Sequence, residues 1–307
     1  MSSVPPSHIA SQIVTTRGLE RLGGDVGARQ ARALGLRTLR RGAFVGREVW
    51  DAATRDERYL MTVLATTRAM REEPLLSHES AAVLHGLPVV GPWPGKTHVL
   101  VDSPRGGRSS GAVVRHGVSS LPDGVEIGGH IVTSVVRTVV DLARTRPFVS
   151  SLATADHALR TGMCTRDELM AELDGVRGRR GCRRARAVVE RADPRAESVG
   201  ESLTRAQMYL LGVPVPELQV EFRDEEGRIG RVDFWWADRR LVGEFDGRAK
   251  YGADGGDPGE TVWREKRRED RLRQHPEVND VLRWIWAEAH DQARFSRVLG
   301  RAGLLPP

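Results

Sequence analysis

The stretch RVDFWWADRRLVGEFDG, Arg231–Gly247, holds two runs of alternating apolar residues separated by Ala-Asp-Arg-Arg. That pattern predicts an antiparallel hairpin with its loop at Ala237–Arg240, so that Trp236 faces Leu241. Counting back along the ladder sets Asp233 opposite Glu244. Period-two alternation sends Val232, Phe234, Trp236, Leu241 and Phe245 to one apolar face, and Asp233, Trp235, Val242, Glu244 and Asp246 to the other. Three carboxylates then share one face, two of them with Cβ atoms about 5 Å apart, where like charges repel.

Such an arrangement calls for a raised pKa, an arginine or lysine, or a divalent cation. Oxygen-only ligands suit Mg2+ or Mn2+ better than zinc. A cation there polarises a phosphodiester oxygen and acidifies a bound water, which is the chemistry of metal-assisted phosphodiester hydrolysis. Asp233, Glu244 and Asp246 are the candidate metal ligands, and Lys250 is a compact charge for the scissile phosphate or the attacking water. Glu201, on the helix expected before the hairpin and four residues after Glu197, is the candidate for a further acid.

Working outward, the 307 residues suffice for two or three domains. We expect divisions into 1–75, 76–192 and 193–307. A net charge of +6 from 47 basic and 41 acidic residues is compatible with a polyanionic partner. Only Lys96, Lys250 and Lys266 are lysines, so the basic charge is almost all arginine. Cys164 and Cys182 lie far apart with no His or Cys partner at metal spacing, which excludes a disulfide framework and a zinc site and points to a reducing cytoplasm. The most apolar segment, HIVTSVVRTVVDLA, is interrupted by Arg137 and Asp141, and no membrane span is expected. No P-loop glycine pattern occurs, which removes that route to nucleotide hydrolysis.

Near the N-terminus, DVGARQARALGLRTLRRGAFVGREVW reads as a winged helix-turn-helix. Ala31 and Leu34 form one apolar face, Gly35 stops that helix, Leu36 and Leu39 anchor the next, and GAFVGREV forms a small hairpin. Arg37, Arg40 and Arg41 then line the second helix and wing as candidate nucleic-acid contacts. A small helical hairpin with merely solvated arginines fits the same residues. In the middle of the chain, Ser77 is placed to cap a helix ending at Gly86, and Thr165 with Glu168 reads as a capping box. THVLVDSP and GAVVRHGV read as strands, and Arg137 with Asp141 as an i,i+4 pair. His78, His85, His98, His116, His130 and His157 show no repeated short spacing and read as ordinary residues.

From Arg177 to Arg195 eight arginines face only Glu190 and Asp193, a solvated helix face or a phosphate-neutralising run. Asp193-Pro194 is expected to open a helix that stops at Gly212. After the hairpin, WREKRREDRLR predicts a helix on which Lys266, Arg267 and Arg271 are candidate phosphate contacts, the alternative being a salt-bridged exposed helix. VLRWIW reads as a buried strand from which Arg283 projects.

The segment from Glu197 to Trp286, through ESLTRAQMYLLGVPVPELQ, RVDFWW, LVGEFDG, EKRREDRLR and VLRWIW, resembles the very-short-patch-repair-endonuclease-like domains of the PD-(D/E)xK nuclease superfamily. The resemblance implies a mixed sheet flanked by helices, with Asp233 and Glu244 as metal ligands and Glu201 as the helix acid. It departs where Asp246 stands in place of the E-x-K lysine, so the lysine function is missing or moved to Lys250. The preceding two-thirds, through LLSHESAAVLHGLP and TSVVRTVVDLA, is similar to AbiEi-type antitoxins, which implies a DNA-binding winged helix, a mixed α/β middle domain and a cognate toxin partner. Two readings remain open: a Mg2+-dependent endonuclease acting on double-stranded DNA, or a non-catalytic antitoxin-like regulator that keeps the nuclease fold as a binding module.

Overall fold

The computed structural model describes residues 5–16, 31, 33–103, 107, 109, 111–247 and 258–306. Lys250 and the glycine-rich loop residues 252–257 lie outside them, as do most residues of the first expected N-terminal helix. The chain forms two units, Met1–Arg146 with Met163–Val189, and Pro147–Gly162 with Glu190–Pro307. The described residues hold twelve helices and three sheets. No helix among them is long and apolar enough to cross a membrane.

The first unit starts with a helix at Pro6–Ser11 and strands β1 (Ile13–Thr15), β2 (Leu36–Arg40) and β3 (Ala43–Gly46). β3 pairs antiparallel with both of the others, giving the order β1-β3-β2. LRTLR is therefore a strand and not the second helix expected of it. Gly35 adopts φ +70°, which halts helical geometry just before Leu36, and the buried Ala43, Phe44 and Val45 supply a pairing partner. The tight turn falls at Arg41-Gly42, with Gly42 at φ +78°.

A capping box of Thr54 and Glu57 opens the helix Arg55–Thr67. β4 (Leu75–Leu76), β5 (Thr97–Asp102), β6 (Val113–Val118), β7 (Gly124–Ile127) and β8 (His130–Thr133) form a sheet in the order β6-β5-β4-β8-β7. β5 and β6 run parallel, as do β4 and β8. The helices His78–His85, Val135–Thr145, Arg166–Gly175 and Cys182–Arg191 complete this part of the chain. The expected cap at Thr165–Glu168 forms, and Ser134 accepts the Arg137 N–H at the start of its helix. Ser77 precedes its helix without capping it, because its hydroxyl meets His78 Nδ1 at 3.0 Å.

One core joins these parts. Ile9, Ile13, Ala43 and Val45 pack with Tyr59, Met61 and Leu64 of the long helix and with Leu76, Val99 and Val132 of the five-stranded sheet. The described residues between Ile9 and Leu64 in this cluster therefore share a hydrophobic interior with the five-stranded sheet, across the boundary expected at 75/76. Full burial of each large side chain favours the folded state by about 1.5–3 kcal/mol.

The second unit contains β9 (Glu217–Asp224), β10 (Gly227–Trp236), β11 (Leu241–Asp246) and β12 (Asp280–Ile285) in the order β12-β11-β10-β9. β11 and β12 are parallel and the other pairs antiparallel. The hairpin adopts the expected register, with Trp236 paired to Leu241, Trp235 to Val242 and Phe234 to Gly243; Asp233 and Glu244 lie one step further. Its turn is a short 3-10 stretch at Ala237–Arg239 closed by Arg240 at φ +51°.

Both faces of this sheet are covered. Phe234 meets Trp236 and Trp284, and Trp284 packs on Phe295 and donates its indole N–H to Thr204 Oγ1 at 3.0 Å. On the opposite face Trp235, Val242 and Val281 pack with Leu272 of the helix Pro258–Gln274. The carboxylate-bearing face is thus roofed by a helix and does not form an open acidic patch.

Two further details differ from expectation. The helix ahead of the sheet is Val199–Leu210, with Ser198 accepting the Glu201 N–H as its cap. Asp193 instead accepts from the Arg195 backbone and guanidinium, and its own N–H goes to Asp156, which holds Asp193–Ala196 in a turn. The helix Phe148–Arg160, from the expected middle domain, belongs to this second unit.

Candidate functional site

The hairpin acids of the second unit are engaged by protein donors. Glu244 is buried on β11, and its two oxygens accept from different arginines: Oε1 from Arg268 Nη2 at 2.5 Å, and Oε2 from Arg283 Nη2 at 2.8 Å. Arg283 reaches it because the parallel ladder pairs Glu244 with Arg283 directly. Arg268 reaches it from the roofing helix and also donates to Arg231 O at 3.0 Å. Glu265 accepts from both guanidinium groups at 3.0 Å, and Glu269 approaches Arg283 at 3.5 Å. Burial works against the charge on Arg268 and Arg283, yet the facing carboxylates outweigh it and raise both pKa values.

Asp233 turns to the backbone. Its Oδ2 accepts the Phe245 N–H at 2.9 Å, and its Oδ1 accepts from Gln219 Nε2 at 3.4 Å. Gln219 Nε2 also donates to Glu201 Oε2 at 2.9 Å, and the same oxygen accepts the Glu197 N–H at 2.8 Å. Gln219 therefore links Glu201 and Asp233, and it does so from a left-handed backbone at φ +58°, an uncommon conformation for a non-glycine residue. Nothing in the run ELQV marks it out in the sequence. Glu197 precedes the helix and pairs with Arg231 at 2.5 Å, so it does not share a helix face with Glu201. Asp246 is half-buried at the end of β11, paired with Ile285.

A divalent cation fits this donor set poorly as it stands. Both oxygens of Glu244 are held by guanidinium groups, and Asp233 and Glu201 each accept N–H donors from the protein. Among the described residues no group of three His, Cys, Asp or Glu is arranged to hold a metal ion. Lys250, the expected replacement for the missing lysine, lies outside the described residues.

The candidate nucleic-acid contacts divide between the two units. Arg37 is exposed on β2 with its guanidinium 4.4 Å from the Trp50 ring centroid. Arg40 is half-buried and donates to Thr66 O at 3.0 Å, while Arg41 is exposed in the turn. In the second unit Lys266 is exposed, and Arg267 pairs with Glu226 at 3.0 Å. Arg271 is forked onto Asp224, with Nε 2.8 Å from Oδ2. The salt-bridged alternative for this helix therefore describes Arg267 and Arg271.

One constellation has no counterpart in the sequence pattern. His78, His98 and His116 converge in the first unit, although they are spread over 39 residue numbers. The rings of His78 and His116 stack with centroids 3.6 Å apart, and His98 Nδ1 lies 3.0 Å from His116 Nε2 and 3.2 Å from Glu79 Oε2. Burial, reinforced by neighbouring positive groups, holds His98 and His116 down to about 4 and His78 well below the ordinary histidine value. His78 sits at φ +49°. The only sequence signal is that His98 and His116 fall in two strands; their parallel pairing is a tertiary fact. Arg137, expected to brace its helix, bonds Asp141 at 2.7 Å and also reaches Glu172 at 3.3 Å.

Comparison with known proteins places these features in a context. Two Mycobacterium tuberculosis proteins, Rv2248 of strain ATCC 25618 / H37Rv and MT2308 of strain CDC 1551 / Oshkosh, are each 41% identical to this chain over 120 residues, which is 39% of this chain and 44% of theirs. Both are named as uncharacterized proteins. The chain thus spans less than half the length of these curated relatives. The histidine constellation and the Arg137–Asp141 pair fall within the stretch that also has a family counterpart: residues 74–191 match the AbiEi antitoxin C-terminal domain.

Proposed function

We propose that the chain is a DNA-binding regulator of the antitoxin type, in which the first unit grips the duplex and the second unit serves as a non-hydrolytic module. The observation that carries this reading is the AbiEi match at residues 74–191. The order of helix, strand and terminal hairpin, with β3 between β1 and β2, supports a winged helix as the reading of the N-terminal part. In that reading Arg41 at the hairpin turn and Arg37 beside Trp50 meet phosphates, while Arg40, tied to Thr66 O, positions the hairpin. A cognate toxin is the protein partner the match favours.

The test is binding of the full chain to duplex DNA from upstream of its own gene, across a salt series. Arg41→Ala is expected to weaken binding by roughly threefold to tenfold and to lower the salt slope by about 1. An unchanged affinity and slope in an Arg37→Ala, Arg41→Ala variant would remove the hairpin from the interface.

A second reading, a metal-dependent endonuclease, draws on the approach of Glu201 and Asp233 through Gln219 beside Glu244. In it Asp233, Glu244 and Asp246 hold Mg2+ or Mn2+ once the arginines release Glu244. It predicts cleavage of duplex DNA that depends on the cation and is lost in Asp233→Asn.

A further inference from the structure

We propose that Arg268 and Arg283 take the place of a divalent cation in the second unit, so that Glu244, Asp233 and Asp246 hold no hard cation in the native chain. The inference concerns ion selection at the hairpin and holds whether or not the first unit binds DNA.

The hairpin creates an electrostatic demand, since Asp233 and Glu244 lie one step beyond the paired Phe234 and Gly243, where Asp233 Oδ2 takes the Phe245 N–H, and Asp246 follows two residues after Glu244. A metal is one way to meet it, and two guanidinium groups are another. Here each Glu244 oxygen has its own arginine, at 2.5 and 2.8 Å, in charge-assisted geometry.

Both arginines are fixed by backbone arrangement. Arg283 is the ladder partner of Glu244. Arg268 passes over Gly230, where a Cβ would lie 2.7 Å from its Nε; Gly230 has φ +155° and sits at the register shift between β9 and β10. The bulge and the missing side chain thus give Arg268 its path to Glu244. Glu265 and Glu269 hold the outer sides of the guanidinium groups, which keeps them from swinging away.

The charge count agrees. Glu244, Glu265 and Glu269 face two arginines, so the five groups carry one net negative charge. The two guanidinium groups thus bring to Glu244 the two positive charges that a divalent cation would bring.

The experiment measures free Mn2+ by electron paramagnetic resonance in titrations of the full chain. The native chain is expected to leave the Mn2+ signal unchanged, and Glu244→Gln to leave it unchanged as well. Binding of an equivalent by the native chain, lost on Glu244→Gln, would overturn the proposal.

Glu244→Gln also carries a second measurement. It is expected to lower the melting temperature by about 5 °C or more, equally with and without Mn2+, because two arginines lose their partner. A native melting temperature that rises with Mn2+ and loses that rise in Glu244→Gln contradicts the assignment.

Discussion

The two units bury ionisable groups in opposite ways. In the first, His78, His98 and His116 stack against one another, and burial keeps them in their neutral forms. In the second, Glu244 lies buried between two arginines whose charge the facing carboxylates favour. The difference is partner supply. Glu79 approaches His98 on one side, but Arg144 and Arg146 lie close enough to oppose further positive charge there. Around Glu244, the carboxylates of Glu244 and Glu265 and the guanidinium groups of Arg268 and Arg283 each have an opposite charge within hydrogen-bond reach. Desolvation alone selects the neutral form, and desolvation with matched partners preserves the ion.

Removing one partner of the paired cluster puts this contrast under the greatest strain. Glu244→Ala takes the buried carboxylate away from two half-buried arginines that then keep only Glu265 and Glu269, with an expected loss of about 3–5 kcal/mol in urea unfolding. Removing the set together, as Glu244→Met with Arg268→Met and Arg283→Met, is expected to recover much of that loss. A triple variant no more stable than Glu244→Ala would show that the cluster contributes through something other than charge matching.

The histidine cluster is probed by pH. In the unfolded chain these imidazoles titrate near 6.5, and in the folded chain His98 and His116 titrate at about 4. The folded state therefore binds fewer protons in that interval, and acid favours unfolding. Stability should be full above pH 6.5, fall as pH drops from 6.5 toward 4, and stop falling from this cause below that. The loss is on the order of 3 kcal/mol for each of the two rings, and a His98→Gln, His116→Gln variant should flatten the profile if it folds. A native profile level between those limits would mean that the rings are protonated in the fold.

A smaller effect is expected at Gly230. Ala there meets Arg268 and must keep a backbone that glycine favours, so Gly230→Ala should destabilise by about 1–3 kcal/mol. The loss should shrink but persist in an Arg268→Met background, where the clash is relieved and the backbone strain remains. Equal losses in both backgrounds would assign the effect to backbone conformation alone.

Local pattern and tertiary assembly contribute unequally to what the sequence reveals. The hairpin register at Trp236–Leu241 is legible because alternation and a four-residue turn determine it without reference to anything distant. The cap at Thr165 and the stop at Gly86 are legible for the same reason. The partners of Glu244 are not, although Arg283 is seen to project from its strand: its neighbour is set by parallel pairing across an intervening helix, and Arg268 arrives over a glycine bulge. LRTLR reads wrongly as a helix because leucines three apart suit either a helix turn or a bulged strand, and pairing with β3 decides between them. The histidines look ordinary in the sequence because their convergence depends on β5 lying beside β6.

A regulator and a nuclease are separated most directly by incubating the full chain with supercoiled plasmid carrying its upstream region, with and without Mg2+ or Mn2+, while binding is followed on the same DNA. Salt-sensitive binding with no nicking or linearisation under either cation is the outcome expected of a regulator whose hairpin acids are held by arginines. Cation-dependent cleavage by the native chain that disappears in Asp233→Asn, with binding retained, would contradict that role and establish the second unit as a nuclease.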